Sequence, residues 1–151
     1  MNIQLTSEDA MKAFGARLGG LLAGGEVLEL VGDVGAGKTT LTKGIATGME
    51  IDETVQSPSF TISRLYDAPG GLQLAHYDFY RLHDAGIMAD ELAETAVDGK
   101  TITIIEWAGI VDGVLPVDRM TISITAPSET ERRVELTAGG PVSAKLLERL
   151  T

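Results

Sequence analysis

Cysteine is absent from this 151-residue chain, so neither a disulfide framework nor a thiolate metal site can be built from it. Aromatic residues are scarce, with one Trp, three Tyr and three Phe, so the core has to be mostly aliphatic. Basic side chains are outnumbered: 12 Lys and Arg stand against 22 Asp and Glu, for a formal net charge of −10. Gripping a nucleic-acid backbone needs a basic face to neutralise phosphates, and none is visible, so direct, unaided RNA binding is not expected. No uninterrupted apolar run approaches the roughly 20 residues that span a bilayer. The N-terminus also lacks the basic segment and apolar stretch of a secretory leader. These absences together predict a cytoplasmic chain that makes no use of a membrane.

What is present is a complete G-x-x-x-x-G-K-[ST] pattern at Gly32-Asp33-Val34-Gly35-Ala36-Gly37-Lys38-Thr39. It follows the apolar run Val27-Leu28-Glu29-Leu30-Val31 and opens Thr40-Leu41-Thr42-Lys43-Gly44-Ile45-Ala46, a strand–loop–helix setting. Glycines at these positions let successive backbone N–H groups converge on phosphate oxygens, and a helix N-terminus adds partial positive charge. In such a loop the lysine, Lys38, reaches the β- and γ-phosphates, and the Thr39 hydroxyl reaches Mg²⁺. The spacing therefore predicts nucleotide binding on Gly32 to Thr40, with Lys38 a solvent-reachable charge. A glycine-rich turn that only packs a helix on a sheet is the plainer alternative.

The length suits one domain, residues 1–151, with a real core. Thr6-Ser7-Glu8-Asp9 reads as a helix start with Thr6 as the cap, and Met11, Phe14, Leu18 and Leu21 follow on one face. Two alternating runs, Thr61 to Tyr66 and Leu72 to Asp78, flank Asp67-Ala68-Pro69-Gly70-Gly71 and predict a β-hairpin. Asp84 to Val97 reads as a helix with Met88 and Leu92 on one side. Thr101 to Ile105 is a short buried strand ending at Glu106. Met120, Ile122 and Ile124, then Val134 and Leu136, predict two further antiparallel strands, and Val142 to Leu150 a closing helix. The predicted fold is α/β, a P-loop NTPase-like three-layer sandwich around a central mixed, partly parallel sheet.

Hydrolysis needs a carboxylate to organise metal or water, and ligands of open α/β sheets lie beyond the carboxyl ends of strands. Glu106, after Ile102, Ile104 and Ile105, has the pattern of a Walker B acid, though a strand-end acid facing water reads the same way. Asp78 ends its run just before Phe79-Tyr80-Arg81 and is the second candidate, with a solvated turn acid as its alternative. Arg81 reads as a surface ion-pair residue or a phosphate neighbour. His76, with no second histidine near it, reads as a packed, hydrogen-bonded strand residue. Trp107 is either core packing or a neighbour of the nucleotide. Ser57-Pro58-Ser59-Phe60 occupies the chain position where nucleotide hydrolases carry switch loops, and a polar connector would look alike.

The ordered set of P-loop, Ser57-Pro58-Ser59-Phe60, His76-Tyr77-Asp78-Phe79-Tyr80-Arg81 and Ile105-Glu106-Trp107 resembles the TsaE (YjeE) family. These are bacterial P-loop ATPases of tRNA threonylcarbamoyladenosine biosynthesis. The resemblance implies binding of ATP and Mg²⁺, with Thr39 and Glu106 at the metal and Asp78 near the reacting phosphate. It implies weak ATPase activity alone, and action with the partner proteins TsaB and TsaD on adenosine 37 of tRNAs reading codons that begin with A. Family members usually carry threonine at Ser59, leucine at Phe79 and proline at Ala108; Ser59 keeps the hydroxyl.

Three rival readings stand beside this one. A small-molecule P-loop kinase would need a basic lid over the phosphates, and only Arg132-Arg133 pairs arginines. A GTPase would use Asp67-Ala68-Pro69-Gly70 as its D-x-x-G motif, but N-K-x-D is missing and the hairpin turn explains Pro-Gly. A nucleotide-sensing adaptor would differ from the ATPase only in not requiring turnover.

Overall fold

The computed structural model describes residues 1–58, 62–84 and 86–151. Among these, seven strands form one mixed sheet: β1 Asn2–Leu5, β2 Val27–Val31, β3 Ser63–Asp67, β4 Gln73–Asp78, β5 Thr101–Glu106, β6 Met120–Thr125 and β7 Arg132–Ala138. Their spatial order is β1-β7-β6-β2-β5-β4-β3. β2 runs parallel to both β5 and β6, and β4 runs parallel to β5. The flanks are antiparallel, β3 on β4, and β7 between β6 and β1.

Strand alternation sends side chains to two separate cores. Leu28, Leu30, Ile102 and Ile104 pack with residues of α1 (Glu8–Leu21), α2 (Lys38–Gly48) and α4 (Pro141–Leu150), among them Leu18, Leu41, Ile45 and Leu146. Val27, Ala75, Tyr77 and Ile105 point the other way, onto Leu92 and Ala96 of α3 (Met88–Ala96) and Val111 of a 3₁₀ turn over Ala108–Val114. Fully burying one such aliphatic side chain contributes roughly 1.5–3 kcal/mol. Helices on both faces make the α/β sandwich three layers deep.

Local departures from the sequence reading have local causes. Ser7, not Thr6, caps α1, accepting from the Ala10 N–H at 3.0 Å. Strand β1 is too short for its alternation to stand out, and it exists because β7 offers it an antiparallel edge. α3 begins at Met88 rather than Asp84, because Gly86 adopts a left-handed φ of 55° and its N–H bonds the Asp84 carboxylate. The D-x-x-G match at 67–70 sits at the start of β4, the end away from Asp78, in a 3₁₀ turn over Pro69–Gly71. Ser59, Phe60 and Thr61, the second half of the switch-like segment and the start of the first hairpin run, lie outside the described residues.

α1 and α2 meet backbone to backbone through glycines four residues apart on each helix: Gly15 and Gly19 against Gly44 and Gly48. A methyl group on Gly19 would stand 2.1 Å from the Ile45 carbonyl oxygen, and one on Gly48 2.1 Å from that of Ala16. This contact clamps the helix whose first turn carries Lys38 and Thr39. Helix propensity alone favours Ala over Gly by roughly 0.8–1 kcal/mol. The clash opposes it, and overpacking of this kind costs about 1–3 kcal/mol. Gly19→Ala is therefore expected to lower stability in denaturant titration; a more stable variant would show that the helices separate at little cost.

Candidate functional site

The parallel register of the three middle strands assembles the candidate residues. Leu30 of β2 lies beside Glu106 of β5, and Glu106 beside Asp78 of β4, so all three strands end together at the loop that begins with Gly32. Within that loop Gly35 and Gly37 have φ of 84° and 115°, a left-handed backbone that glycine adopts without strain. Gly37 is also the N-cap of α2 and offers no side chain to its first turn.

Above the loop opens a cavity of about 330 Å³, lined by Val34, Gly35, Gly37, Lys38, Thr39, Thr40, Ser57, Asp78, Tyr80, Arg81, Glu106 and Trp107. The fold thus gathers residues from the loop after β2, from α2 and from the ends of β4 and β5 that lie far apart in the chain. Gly32, Asp33 and Ala36 of the predicted loop stay off this wall. Gly32 and Asp33, with Lys38 and Trp107, line an adjoining cavity, and Ala36 is buried beneath the loop. A further cavity of about 400 Å³ lies beyond Gly35, Gly37 and Thr40, bounded by Thr6, Ser7, Met11, Thr130 and Arg132.

Lys38 is not the solvent-reachable charge expected from the motif. It is 6% exposed, its Nζ donates to the Gly32 carbonyl at 2.6 Å, and the Trp107 ring lies over it at 4.1 Å. Burial pushes its ammonium below the ordinary lysine range, while Glu106, Asp78 and Asp33 pull against that push. Glu106 and Asp78 are 3% and 5% exposed. The Asp78 carboxylate accepts from the Tyr80 N–H at 2.9 Å, and one Glu106 oxygen is 3.9 Å from the Lys38 Nζ. The other Glu106 oxygen accepts from His76 Nε2 at 2.6 Å, so His76 is the packed, hydrogen-bonded residue that its setting suggested.

Two contacts at the site go beyond the sequence reading, which named Trp107 but neither its partner nor the reach of Arg132. Trp107 takes a left-handed φ of 57° and packs against Tyr80 with ring centroids 4.8 Å apart and the planes tilted by 44°, and this aromatic pair lines the cavity. Arg132 reaches across from β7 to donate from Nε to the Ala36 carbonyl at 2.9 Å, tying the loop to the far side of the sheet.

The residues present suit a nucleotide with Mg²⁺. A Cβ built on Gly35 would meet nothing within 4 Å, which leaves the loop backbone open to a close approach. Thr39, Asp78 and Glu106 are hard oxygen donors, the kind Mg²⁺ prefers. Among the described residues no three His, Cys, Asp or Glu converge as a metal cage. Mg²⁺ does not require one, since it keeps waters and uses one or two carboxylates together with phosphate oxygens.

Comparison with known proteins bears on this geometry. The family model for "Threonylcarbamoyl adenosine biosynthesis protein TsaE" matches residues 5–134. The chain belongs to the TsaE family. The TsaE protein of Bacillus subtilis (strain 168) is 40% identical over 131 residues, covering 84% of this chain and 78% of that protein. That of Treponema pallidum (strain Nichols) is 37% identical over 121 residues, with 80% and 88% covered. Both are named tRNA threonylcarbamoyladenosine biosynthesis proteins. The crystal structure of Bacillus subtilis YdiB superposes with a TM-score of 0.82 at 35% identity, covering 99% of this chain and 93% of YdiB. The TsaE fold thus holds over the whole sheet. No helix among the described residues is long and apolar enough to cross a membrane.

Proposed function

We propose that this chain is an Mg²⁺-dependent ATPase, a single P-loop domain over residues 1–151, that binds ATP on Gly32 to Thr40. In this reading it acts in the cytoplasm with TsaB and TsaD in the threonylcarbamoyl modification of adenosine 37 in tRNA. The observation that carries the enzymatic part is the convergence of Lys38, Asp78 and Glu106 on the cavity above the loop. The pathway rests on the names of the relatives.

The loop N–H groups and the first turn of α2 hold the phosphates, and Lys38 leaves the Gly32 carbonyl to neutralise charge on the β- and γ-oxygens. Thr39 and Glu106 are the residues that hold Mg²⁺, which when bound screens the phosphate charge and polarises the bond to be broken. Asp78, beside Glu106 in the register, orients the attacking water. The cavity on the Thr40 side leaves room for the remainder of the nucleotide.

With a net charge of −10, the chain has little to draw a polyanion. Activation by a partner, as when GTPases receive an arginine in trans, suits a site that turns over slowly by itself. ATP hydrolysis is expected to be slow for the isolated protein and to rise when the TsaB–TsaD complex is added. The isolated chain should show no salt-sensitive tRNA binding in an anisotropy titration. Full activity that ignores those partners, or tight tRNA binding by the lone chain, would refute this division of labour.

A further inference from the structure

The reading above leaves one buried polar side chain beside the cavity without a role. His76 is fully buried on β4, two residues before Asp78, and pairs across to Ile104, two residues before Glu106. Its side chain therefore shares a sheet face with both carboxylates. The Nε2–Oε2 contact with Glu106 is 2.6 Å, and among the described residues His76 Nδ1 has no partner. The short contact is a hydrogen bond in which the Glu106 carboxylate accepts from His76 Nε2. A buried ring that satisfies one nitrogen and leaves the other alone is aimed at a single group.

That aim decides where Glu106 stands. With Oε2 held by His76, Oε1 remains 3.9 Å from Lys38 Nζ, beyond a hydrogen bond, and Lys38 donates to Gly32 instead. The pair is nearly buried, so its attraction is weakly screened. His76 is the hydrogen-bond partner that holds the Glu106 side chain off Lys38.

We propose that His76 is a positioning residue that holds the Glu106 carboxylate apart from Lys38, so that the carboxylate stays open to Mg²⁺ and the lysine to phosphate. The proposal rests on the ATPase reading, which supplies the metal that Glu106 awaits. Partners that orient a ligating carboxylate are typically worth about 10–100-fold in metal affinity or activity.

The test compares His76→Leu, which removes the donor, with His76→Gln, which keeps an N–H near the Nε2 position. ADP binding is followed by calorimetry across an Mg²⁺ titration and again in EDTA. For His76→Leu the Mg²⁺ concentration at half effect should rise by about 10–100-fold, while the affinity in EDTA stays as in the wild type. His76→Gln should remain close to wild type in both. If His76→Leu does not fold, His76→Asn replaces it, because its shorter amide falls short of Glu106. Wild-type Mg²⁺ dependence in a folded donor-less variant overturns the proposal, as does a His76→Gln protein as impaired as His76→Leu. A wild-type protein whose nucleotide binding ignores Mg²⁺ overturns the ATPase reading itself, and this proposal with it.

Discussion

Lys38→Ala is expected to abolish ATP turnover and weaken ATP binding while leaving the fold intact. The lost contact is a charge-assisted hydrogen bond to phosphate, and bonds to charged groups contribute roughly 1.5–3 kcal/mol. Nucleotide affinity should therefore fall by about 10–100-fold, at roughly 1.4 kcal/mol for each factor of ten. The fold survives because the lysine is a cost to the empty protein. Burial lowers its pKa below that of the unfolded chain, so the charged form is disfavoured by folding. That cost is fully present below the folded pKa and relieved only as the pH rises through it. Alanine removes the cost together with the Gly32 hydrogen bond, so the melting temperature should change little. The indole of Trp107, 4.1 Å from the Lys38 Nζ, is a built-in reporter. Its fluorescence should change saturably with Mg²⁺ and ATP in the wild type and stay flat in Lys38→Ala at the same nucleotide concentration. Retained turnover in a folded Lys38→Ala protein would sink the proposed site.

Glu106→Gln and Asp78→Asn should each separate metal organisation from phosphate binding. Both substitutions keep shape and remove charge at residues 3% and 5% exposed. The local hydrogen bonds persist, since the new amide oxygens can still accept from His76 Nε2 and from the Tyr80 N–H. Folding should be spared. The rate, measured with the partner proteins present, should fall on the order of a hundredfold, which corresponds to roughly 2.7 kcal/mol of barrier. Nucleotide affinity should fall much less, because the loop and Lys38 still hold the phosphates. Unchanged rates in both variants would return Asp78 and Glu106 to ordinary strand-end acids.

Much of this architecture can be read in one dimension. The hairpin of β3 and β4 and the antiparallel pair β6 and β7 follow from alternating runs, and β5 from a short apolar-rich run that the structure buries throughout. A complete G-x-x-x-x-G-K-[ST] pattern between an apolar strand and a helix required no tertiary knowledge, because its chemistry is made by backbone and one lysine within eight consecutive residues. β1 carries no such signal because four residues hold too little periodicity, and α3 starts later than its pattern suggests because Gly86 bends the chain before it.

The amino-acid sequence by itself determined most of the elements, the G-x-x-x-x-G-K-[ST] loop and the two strand-end carboxylates, since each follows from neighbours within one strand or one turn. Tertiary structure alone decided their meeting. Parallel register sets Asp78, Glu106 and Leu30 side by side, although they come from strands far apart in the chain. It also decided that Lys38 is buried beneath Trp107 and that His76 bonds Glu106 across thirty positions. Burial and long-range hydrogen bonds depend on which strands become neighbours, and strand order is a property of the packed sheet rather than of any local pattern.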